Sequence, residues 1–224
     1  PKRNAWVISK FMVKDWAKEA ELSRKRLGHH LKVLLWHNFD PQNPDIEKIQ
    51  KELSGITDVQ LGCSTYGTAA AVVAVESGLF KMIEIEFNIL NPHILNTIQV
   101  RAKKNGIKLV LRSILQKGFL TDAFQATEFT VHKEPKKNDI LRKLGAKLSS
   151  FAREHQMAVE ELALRYAASV TKDEIILIGA NAKSQIRANV DTLEKPALSV
   201  SVLSEIERII SQLDPTLLDL RQWK

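Results

Sequence analysis

Several features that define common protein classes are scarce in or missing from this sequence. It has one cysteine, Cys63, among 224 residues. A single cysteine cannot form an intrachain disulfide of the kind that stabilises secreted proteins, which favours a reducing cytoplasmic setting. The longest apolar run, residues 69–75, is far shorter than the ~20 residues that a membrane span needs. The nine glycines contain no G-x-G pair, so neither the dinucleotide fingerprint of a doubly wound fold nor a Walker A loop is present.

The charge balance favours anionic ligands without indicating nucleic acid. The chain has 33 basic and 26 acidic residues, a net charge of +7, which suits phosphorylated ligands or acidic surfaces. Aromatic residues make up only 6% and the lysines are scattered, so no basic patch with stacking rings stands out. Length, ordinary composition and the lack of a low-complexity linker predict one soluble domain over residues 1–224.

Apolar runs and amphipathic segments alternate along the chain. Strands are predicted at residues 5–11, 31–36, 59–64, 81–87, 108–112 and 175–178. Helices are predicted at residues 13–27, 45–53, 66–79, 93–104, 138–154, 159–169 and 201–213, with another carrying Lys183–Asn189 and a long polar loop at residues 121–137. Strands that are apolar on both faces and alternate with helices indicate a parallel α/β sheet. A (β/α)8 TIM barrel is favoured over a doubly wound sheet, although about six strand–helix units are found where a closed barrel has eight.

Polar or ionisable residues follow nearly every predicted strand, at the ends where α/β barrels carry their chemistry. They are Lys10, His37, Ser64, Thr65, Glu84, Asn88, Arg112, Ser113 and Gly179. After the last strand, Gly179 leads into a helix start flanked by Lys183 and Arg187. Backbone N–H groups and the helix dipole at such a start attract anions. An ordinary strand-to-helix turn is the alternative interpretation of this stretch.

Six motifs, in order and spacing, resemble the aldo-keto reductases. They are VISKF, LLWHNFD, LGCSTYG, IEIEFNILNP, RSILQKGFLT and LIGANAKSQIRANV, and together they extend over essentially the whole chain. The resemblance implies a (β/α)8 barrel enzyme that reduces a carbonyl (an aldehyde, ketone or sugar-like compound) with NADPH or NADH. It implies a small-molecule carbonyl substrate as partner, no nucleic acid, no membrane and no metal, and leaves an oligomer open.

The resemblance also implies roles for individual residues. Lys10 matches the lysine whose charge lowers the pKa of a catalytic tyrosine, and His37 matches the histidine that orients the substrate carbonyl. Ser64 and Thr65 match the pair that holds the nicotinamide carboxamide. The remaining positions assigned to the cofactor are Glu84, Arg112, Ser113, Leu115, Gly179, Asn181, Gln185 and Asn189.

Departures from the family pattern leave alternatives open. The tetrad's tyrosine and aspartate have no counterpart, because the chain opens at what resembles the third barrel strand. An incomplete amino end is expected, lacking the first two strand–helix units; a true open barrel is the alternative. Glu84 replaces a glutamine, and Arg112 replaces a ring-stacking aromatic. A catalytically incomplete scaffold or regulatory subunit is therefore the second hypothesis, and a sugar-phosphate isomerase or aldolase the third.

Three residues outside this pattern have plainer interpretations. Asn88 is expected to cap the loop after its strand. His29 and His30 are expected in a solvated turn, because no third metal ligand lies near them in the sequence.

Overall fold

The computed structural model describes residues 6–43, 46–54, 59–211 and 213–223. Contacts divide the chain into two compact units. The first comprises the described residues within Pro1–Glu86, His93–Leu111 and Asp173–Ile175, and the second those within Phe87–Pro92, Arg112–Lys172 and Ile176–Lys224. The single domain expected from the sequence stays a prediction.

A β-sheet is the framework of the first unit. Among the described residues it has six strands in sequential order, a parallel α/β arrangement that bears out the fold class. They are β1 (Val7–Phe11), β2 (Leu31–Trp36), β3 (Gln60–Ser64), β4 (Met82–Glu86), β5 (Lys108–Arg112) and β6 (Ile175–Ile176). A closed barrel of this type has eight strands, so the part of the chain that the structure describes does not form the complete (β/α)8 barrel that the resemblance implied.

Helices connect successive strands of the first unit. They are α1 (Trp16–Leu27), α2 (Ile46–Ser54), α3 (Gly67–Glu76) and α4 (His93–Lys104), and 3-10 turns lie at Val13–Asp15 and Gly28–His30. Helix α4 and strand β5 have the predicted bounds. The helix expected over residues 13–27 instead opens with a 3-10 turn, and the expected starts at residues 5 and 45 lie outside the described residues.

The second unit is helical. Its helices are α5 (Asp122–Gln125), α6 (Pro135–Glu154), α7 (Val159–Val170), α8 (Lys183–Leu193) and α9 (Val200–Ile210), and 3-10 turns occupy Gln116–Gly118, Pro215–Leu218 and Leu220–Gln222. The polar loop expected at residues 121–137 was predicted too long. The Thr121 hydroxyl accepts from the Phe124 N–H at 3.2 Å and caps α5, and Pro135 begins α6, where its missing N–H costs nothing.

Close packing between strands explains one glycine and the core beside it. Val33, Leu35, Met82 and Val110 form a buried apolar cluster on the sheet. A Cβ atom at Gly62 would lie 2.5 Å from the Met82 carbonyl oxygen and 2.5 Å from Leu35. Only glycine therefore fits between β2 and β4 at this position, and it fixes the spacing of the strands that carry polar residues at their ends.

Candidate functional site

Neighbouring strands bring the residues predicted for catalysis and nicotinamide binding to one edge of the sheet. Ser64, the last residue of β3, lies in register with Glu84 of β4. The pairing continues past the strand, since the Thr65 N–H donates to the Glu84 carbonyl at 2.9 Å. Parallel strands end at a common edge, and Lys10 reaches this group from the end of β1. Lys10, Ser64 and Thr65 lie at the carboxyl ends of their strands as expected, whereas Glu84 is the middle residue of β4.

Lys10 and Glu84 form an ion pair at that edge. The Lys10 Nζ donates to Glu84 Oε1 at 2.6 Å, and the two side chains are 38% and 3% exposed. The carboxylate is thus buried and the ammonium reaches solvent. A buried carboxylate needs a partner charge or hydrogen bonds to offset the loss of water, which Lys10 supplies. The sequence assigned these residues to separate roles and did not predict their contact.

Cys63 is an inert thiol next to this pair. It is completely buried in β3. Burial, and secondarily the negative charge of Glu84, raise the pKa of the Cys63 thiol well above its ordinary value. Because the thiolate is the nucleophilic form, Cys63 has no place in the chemistry of this edge.

Ser64 and His37 shape the turn that follows β2. The Ser64 hydroxyl accepts from the Asn38 N–H at 3.0 Å, and its carbonyl accepts from the Phe39 N–H at 2.8 Å. These bonds hold Asn38 at a φ of 55°, a conformation that asparagine tolerates better than most residues. His37 is tied by its backbone to β1, while its Nδ1 atom is buried with no hydrogen-bond partner among the described residues.

A cavity of about 600 Å³ lies within the second unit. Most of its lining comes from two stretches that are far apart in sequence, the segment after β5 and the segment from β6 into α8, and Glu160 of α7 adds one acidic side chain. Six of the residues predicted to bind the cofactor line it: Ser113, Leu115, Gly179, Asn181, Gln185 and Asn189. The structure therefore brings together residues that the sequence had linked only through the family resemblance.

The cavity loop, residues 113–118, has an unusual backbone. Ser113, Gln116 and Lys117 have φ values of 65°, 44° and 52°, and Gly118 has 90°. Left-handed conformations are rare for residues other than glycine, asparagine and aspartate. Such conformations persist where the surrounding structure holds them, and they concentrate at ligand sites.

Asn88 holds the cavity loop from one side. Its Nδ2 donates to the Ser113 carbonyl at 3.2 Å and to Gln116 Oε1 at 2.6 Å. Its Oδ1 accepts from the backbone of Leu90 at 2.9 Å and Asn91 at 3.2 Å. The predicted loop-capping role of Asn88 is confirmed, and its contact with Gln116 is an addition that the sequence did not reveal.

The amino-terminal end of α8 forms another wall of the cavity. Gln185 Oε1 accepts from the Asn181 N–H at 2.7 Å, close to the helix start. A side chain that reaches back in this way satisfies a donor left over at a helix start. At Gly179 a Cβ atom would meet nothing within 4 Å, so the protein's own packing does not require glycine there. The space beside Gly179 is open to a ligand.

The positively charged residue that lines the cavity is not one of those that the sequence predicted. Lys117 lines the cavity, although the sequence pointed to Lys183 and Arg187, which are exposed on α8 and are not among the described lining residues. Arg112 donates to the Ser113 hydroxyl at 3.2 Å and is also not among those lining residues. The one signal that could have pointed to Lys117 was its place within the motif RSILQKGFLT.

Neither tyrosine has the setting of an exposed proton donor. Tyr166 is buried in α7 and stacks on Phe87, with ring centroids 6.1 Å apart. Burial, with a smaller contribution from Glu207, raises the pKa of Tyr166 to about 12. Tyr66 is half-buried and precedes α3 as its N-cap residue. Both tyrosines therefore occupy structural positions.

The described part of the chain contains neither a metal-binding cluster nor a membrane-spanning helix. No group of three or more His, Cys, Asp or Glu side chains there could hold a metal ion, and His29 and His30 lie in an exposed 3-10 turn. Among the described residues, no helix is both long and apolar enough to cross a membrane.

Comparison with known proteins identifies the family. The profile described as the Aldo/keto reductase family matches residues 2–211, so the chain belongs to the aldo/keto reductase family. This membership supports an oxidoreductase and gives no support to the isomerase or aldolase hypothesis. No curated protein sequence matches the chain.

Solved structures share the fold. Aldo-keto reductase AKR11C1 from Bacillus halodurans is 20% identical in its apo form and 19% in its holo form, with a TM-score of 0.69 for each. The matches cover 90% and 91% of this chain, and 70% and 72% of those chains. Glycerol dehydrogenase AKR11B4 from Gluconobacter oxydans is 19% identical with a TM-score of 0.66, over 89% of this chain and 66% of that one. At these identities the likeness concerns the fold alone.

Proposed function

We propose that this protein reduces a carbonyl compound (an aldehyde, ketone or sugar-like molecule) with NADPH, or with NADH in its place. One observation carries the proposal: six residues assigned to the cofactor, from two distant segments, line a single cavity. Family membership alone supports an oxidoreductase. The shared cavity adds a candidate location for the nucleotide part of the cofactor.

The chemistry of the cavity lining suits a phosphorylated nucleotide. Asn181, Gln185 and Asn189 offer amide donors and acceptors, Ser113 a hydroxyl and Lys117 a positive charge. These groups match the hydroxyls and phosphates of a nucleotide. Gly179 leaves room for a close approach. The N–H groups at the start of α8 add donors to the same lining, and Lys117 is our first candidate for a phosphate contact.

The residues at the sheet edge are assigned to the reacting end. A nicotinamide cofactor, when bound, would supply a hydride for the carbonyl carbon, and a proton added to the carbonyl oxygen would complete the alcohol. The imidazole of His37 would donate a hydrogen bond to the carbonyl oxygen and orient it, and Ser64 and Thr65 would hold the carboxamide. Lys10 provides positive charge where the oxygen becomes negative. Glu84 moderates that charge through the ion pair at 2.6 Å.

A second function is favoured by the same ion pair. The two tyrosines of this sequence, Tyr66 and Tyr166, occupy structural positions. Because Lys10 is already paired to Glu84, its positive charge has a partner at the sheet edge without a tyrosine. A protein that binds the nucleotide without turnover, as a scaffold or regulatory subunit, is therefore the alternative.

Several finer expectations accompany the proposal. The preference for NADPH over NADH, the cytoplasmic location, a small-molecule carbonyl partner and the possibility of an oligomer all stay predictions. They rest on the family resemblance and on the positive net charge of +7, which favours a phosphorylated ligand.

NADPH oxidation in the presence of a panel of aldehydes, ketones and sugars separates the two functions. The reductase proposal expects oxidation that depends on the carbonyl compound and is lost in Lys10→Met. Saturable NADPH binding with no oxidation by any compound favours the scaffold. Arg101→Met is the matched control, because Arg101 forms an exposed ion pair with Glu76 at 2.8 Å and has no assigned role at the site.

A further inference from the structure

The carboxyl-terminal segment, residues 213–223 and here called the tail, packs against the cavity loop from the side opposite to Asn88. Gln116 is 2% exposed and its Nε2 donates to the Leu218 carbonyl at 3.0 Å. Its Oε1 accepts from Asn88 at 2.6 Å. Both ends of one buried amide are therefore satisfied, one by the turn after β4 and one by the tail.

The tail is itself anchored by buried groups. Leu217, Leu218, Leu220 and Trp223 are buried. The Trp223 indole donates to the Leu217 carbonyl at 3.0 Å, and its ring meets that of Phe119 edge-on with centroids 5.5 Å apart. Phe119 directly follows the cavity loop, so the tail contacts this loop at Gln116 and just beyond its end.

A further strand-like contact fixes the end of the tail. His132 and Trp223 form an isolated antiparallel bridge, and the Lys133 N–H donates to the Gln222 carbonyl at 2.9 Å. The family profile ends at residue 211, so the tail lies beyond the matched region. Its contacts are a property of this chain rather than part of the pattern that identified the family.

The backbone of the cavity loop explains why such support matters. Ser113, Gln116 and Lys117 all have positive φ values, which L-residues adopt reluctantly. The tail supports this region through the Leu218 carbonyl on Gln116 and, at 3.4 Å, the Leu220 carbonyl on Lys117. Both bonds join side chains of the loop to the tail, so we expect their loss to free the loop and to change the lining of the cavity.

We propose that the tail is a positioning element for nucleotide binding: through Gln116 it holds the cavity loop in its left-handed conformation, and affinity for the nucleotide depends on this contact. Gln116 is thus a positioning residue that acts through the loop backbone. The inference rests on the proposed function, because it takes the cavity to be the nucleotide site.

Two variants test the contact from its two sides. Gln116→Met keeps the length of the side chain and removes both hydrogen bonds, and Trp223→Ala loosens the tail without altering a described lining residue. Leu148→Ala, in the buried face of α6, is the control for general loss of stability. For each full-length protein we would measure the thermal midpoint, the hydrogen exchange of the Gln116, Gly118 and Phe119 amides, and the Kd for NADPH.

Both variants are expected to accelerate exchange of the three loop amides and to raise the Kd for NADPH about tenfold, which corresponds to about 1.4 kcal/mol. The control is expected to lower the midpoint while loop exchange and Kd stay as in the wild type. Wild-type loop exchange in Trp223→Ala, or a loosened loop with unchanged Kd, would overturn the inference. A wild-type protein that binds no NADPH would instead overturn the proposed function, and the exchange data would still decide whether the tail holds the loop.

Discussion

Lys10 and Glu84 are 74 positions apart in the sequence and meet at 2.6 Å at the edge of the sheet. In the sheet order β2 and β3 lie between β1 and β4, so the two long side chains meet across the face of the curled sheet. The family resemblance implies a neutral glutamine at the position of Glu84. This chain therefore places a buried negative charge beside the lysine assigned to catalysis.

The first prediction concerns the energetics of this pair. Lys10→Met removes the positive charge that is paired with the buried Glu84 carboxylate, and we expect a loss of about 3 kcal/mol in the free energy of unfolding, the lower end for a broken buried pair. Glu84→Gln is expected to cost only about 1 kcal/mol, because the Lys10 ammonium reaches solvent. Urea unfolding of both single variants and of the double variant measures the coupling.

In the Glu84→Gln background, Lys10→Met is expected to lower the free energy of unfolding only slightly. Additive losses in the double variant would show that the two charges do not stabilise each other. The exposed pair Arg101–Glu76, at 2.8 Å, is the matched comparison, and Arg101→Met is expected to cost less than about 1 kcal/mol.

A second prediction separates ligand binding from stability at Gly179. A Cβ atom there meets no protein atom within 4 Å, so Gly179→Ala is expected to leave the protein equally stable or up to about 1 kcal/mol more stable. If the nucleotide approaches this backbone, the same methyl group raises the Kd for NADPH roughly tenfold. Ile186→Ala, an exposed change on α8, is the control. Unchanged affinity in Gly179→Ala would remove this position from the site.

A third prediction uses the two functions assigned to Gln185. Gln185→Ala removes the acceptor for the Asn181 N–H and is expected to cost about 1 kcal/mol, as other lost helix caps do. Gln185→Glu keeps that acceptor, and its charge suits a helix start, so stability is expected to be retained. Its carboxylate repels a phosphate, however, and NADPH affinity is expected to fall in both variants. Wild-type affinity in Gln185→Glu would contradict the assignment of Gln185 to the nucleotide.

A fourth prediction concerns alkaline stability. Because burial raises the pKa of Tyr166 to about 12, the native state keeps this proton longer than the unfolded chain, whose tyrosines titrate near 10. The stability that the neutral phenol provides is therefore complete below pH ~10 and is lost as the pH rises toward 12, by about 3 kcal/mol at about 1.4 kcal/mol per pH unit. In Tyr166→Phe this loss should disappear. Denaturant unfolding of both proteins between pH 8 and pH ~11 measures the difference, and parallel pH profiles would contradict the assignment.

The repeating pattern of strands and helices was predictable because it rests on local signals. Helix His93–Lys104 ends at Asn105-Gly106 and was found as expected, and the polar residues after the strands gather at one edge because parallel strands share a direction. Where local signals were weak the predicted bounds were wrong. The last strand was predicted at residues 175–178 but ends at Ile176, and α5 lies inside the loop expected at residues 121–137.

The contacts within the candidate site could not be predicted from the sequence. The Lys10–Glu84 pair depends on strand register, and the Asn88–Gln116–Leu218 series joins segments up to 102 positions apart. Positive φ at Gln116 and Lys117 has no sequence signal, because neither residue type favours that conformation. The family resemblance did assign six of the cavity residues to one site, because it links them through a shared ligand and not through local structure.

Fluorescence titration of NADPH with the full chain is the most direct test of the central claim. Saturable one-to-one binding is expected, weakened about tenfold in Gly179→Ala and unchanged in Ile186→Ala. The absence of saturable binding of both NADPH and NADH to the folded wild-type protein would contradict the claim that the cavity is a nucleotide site.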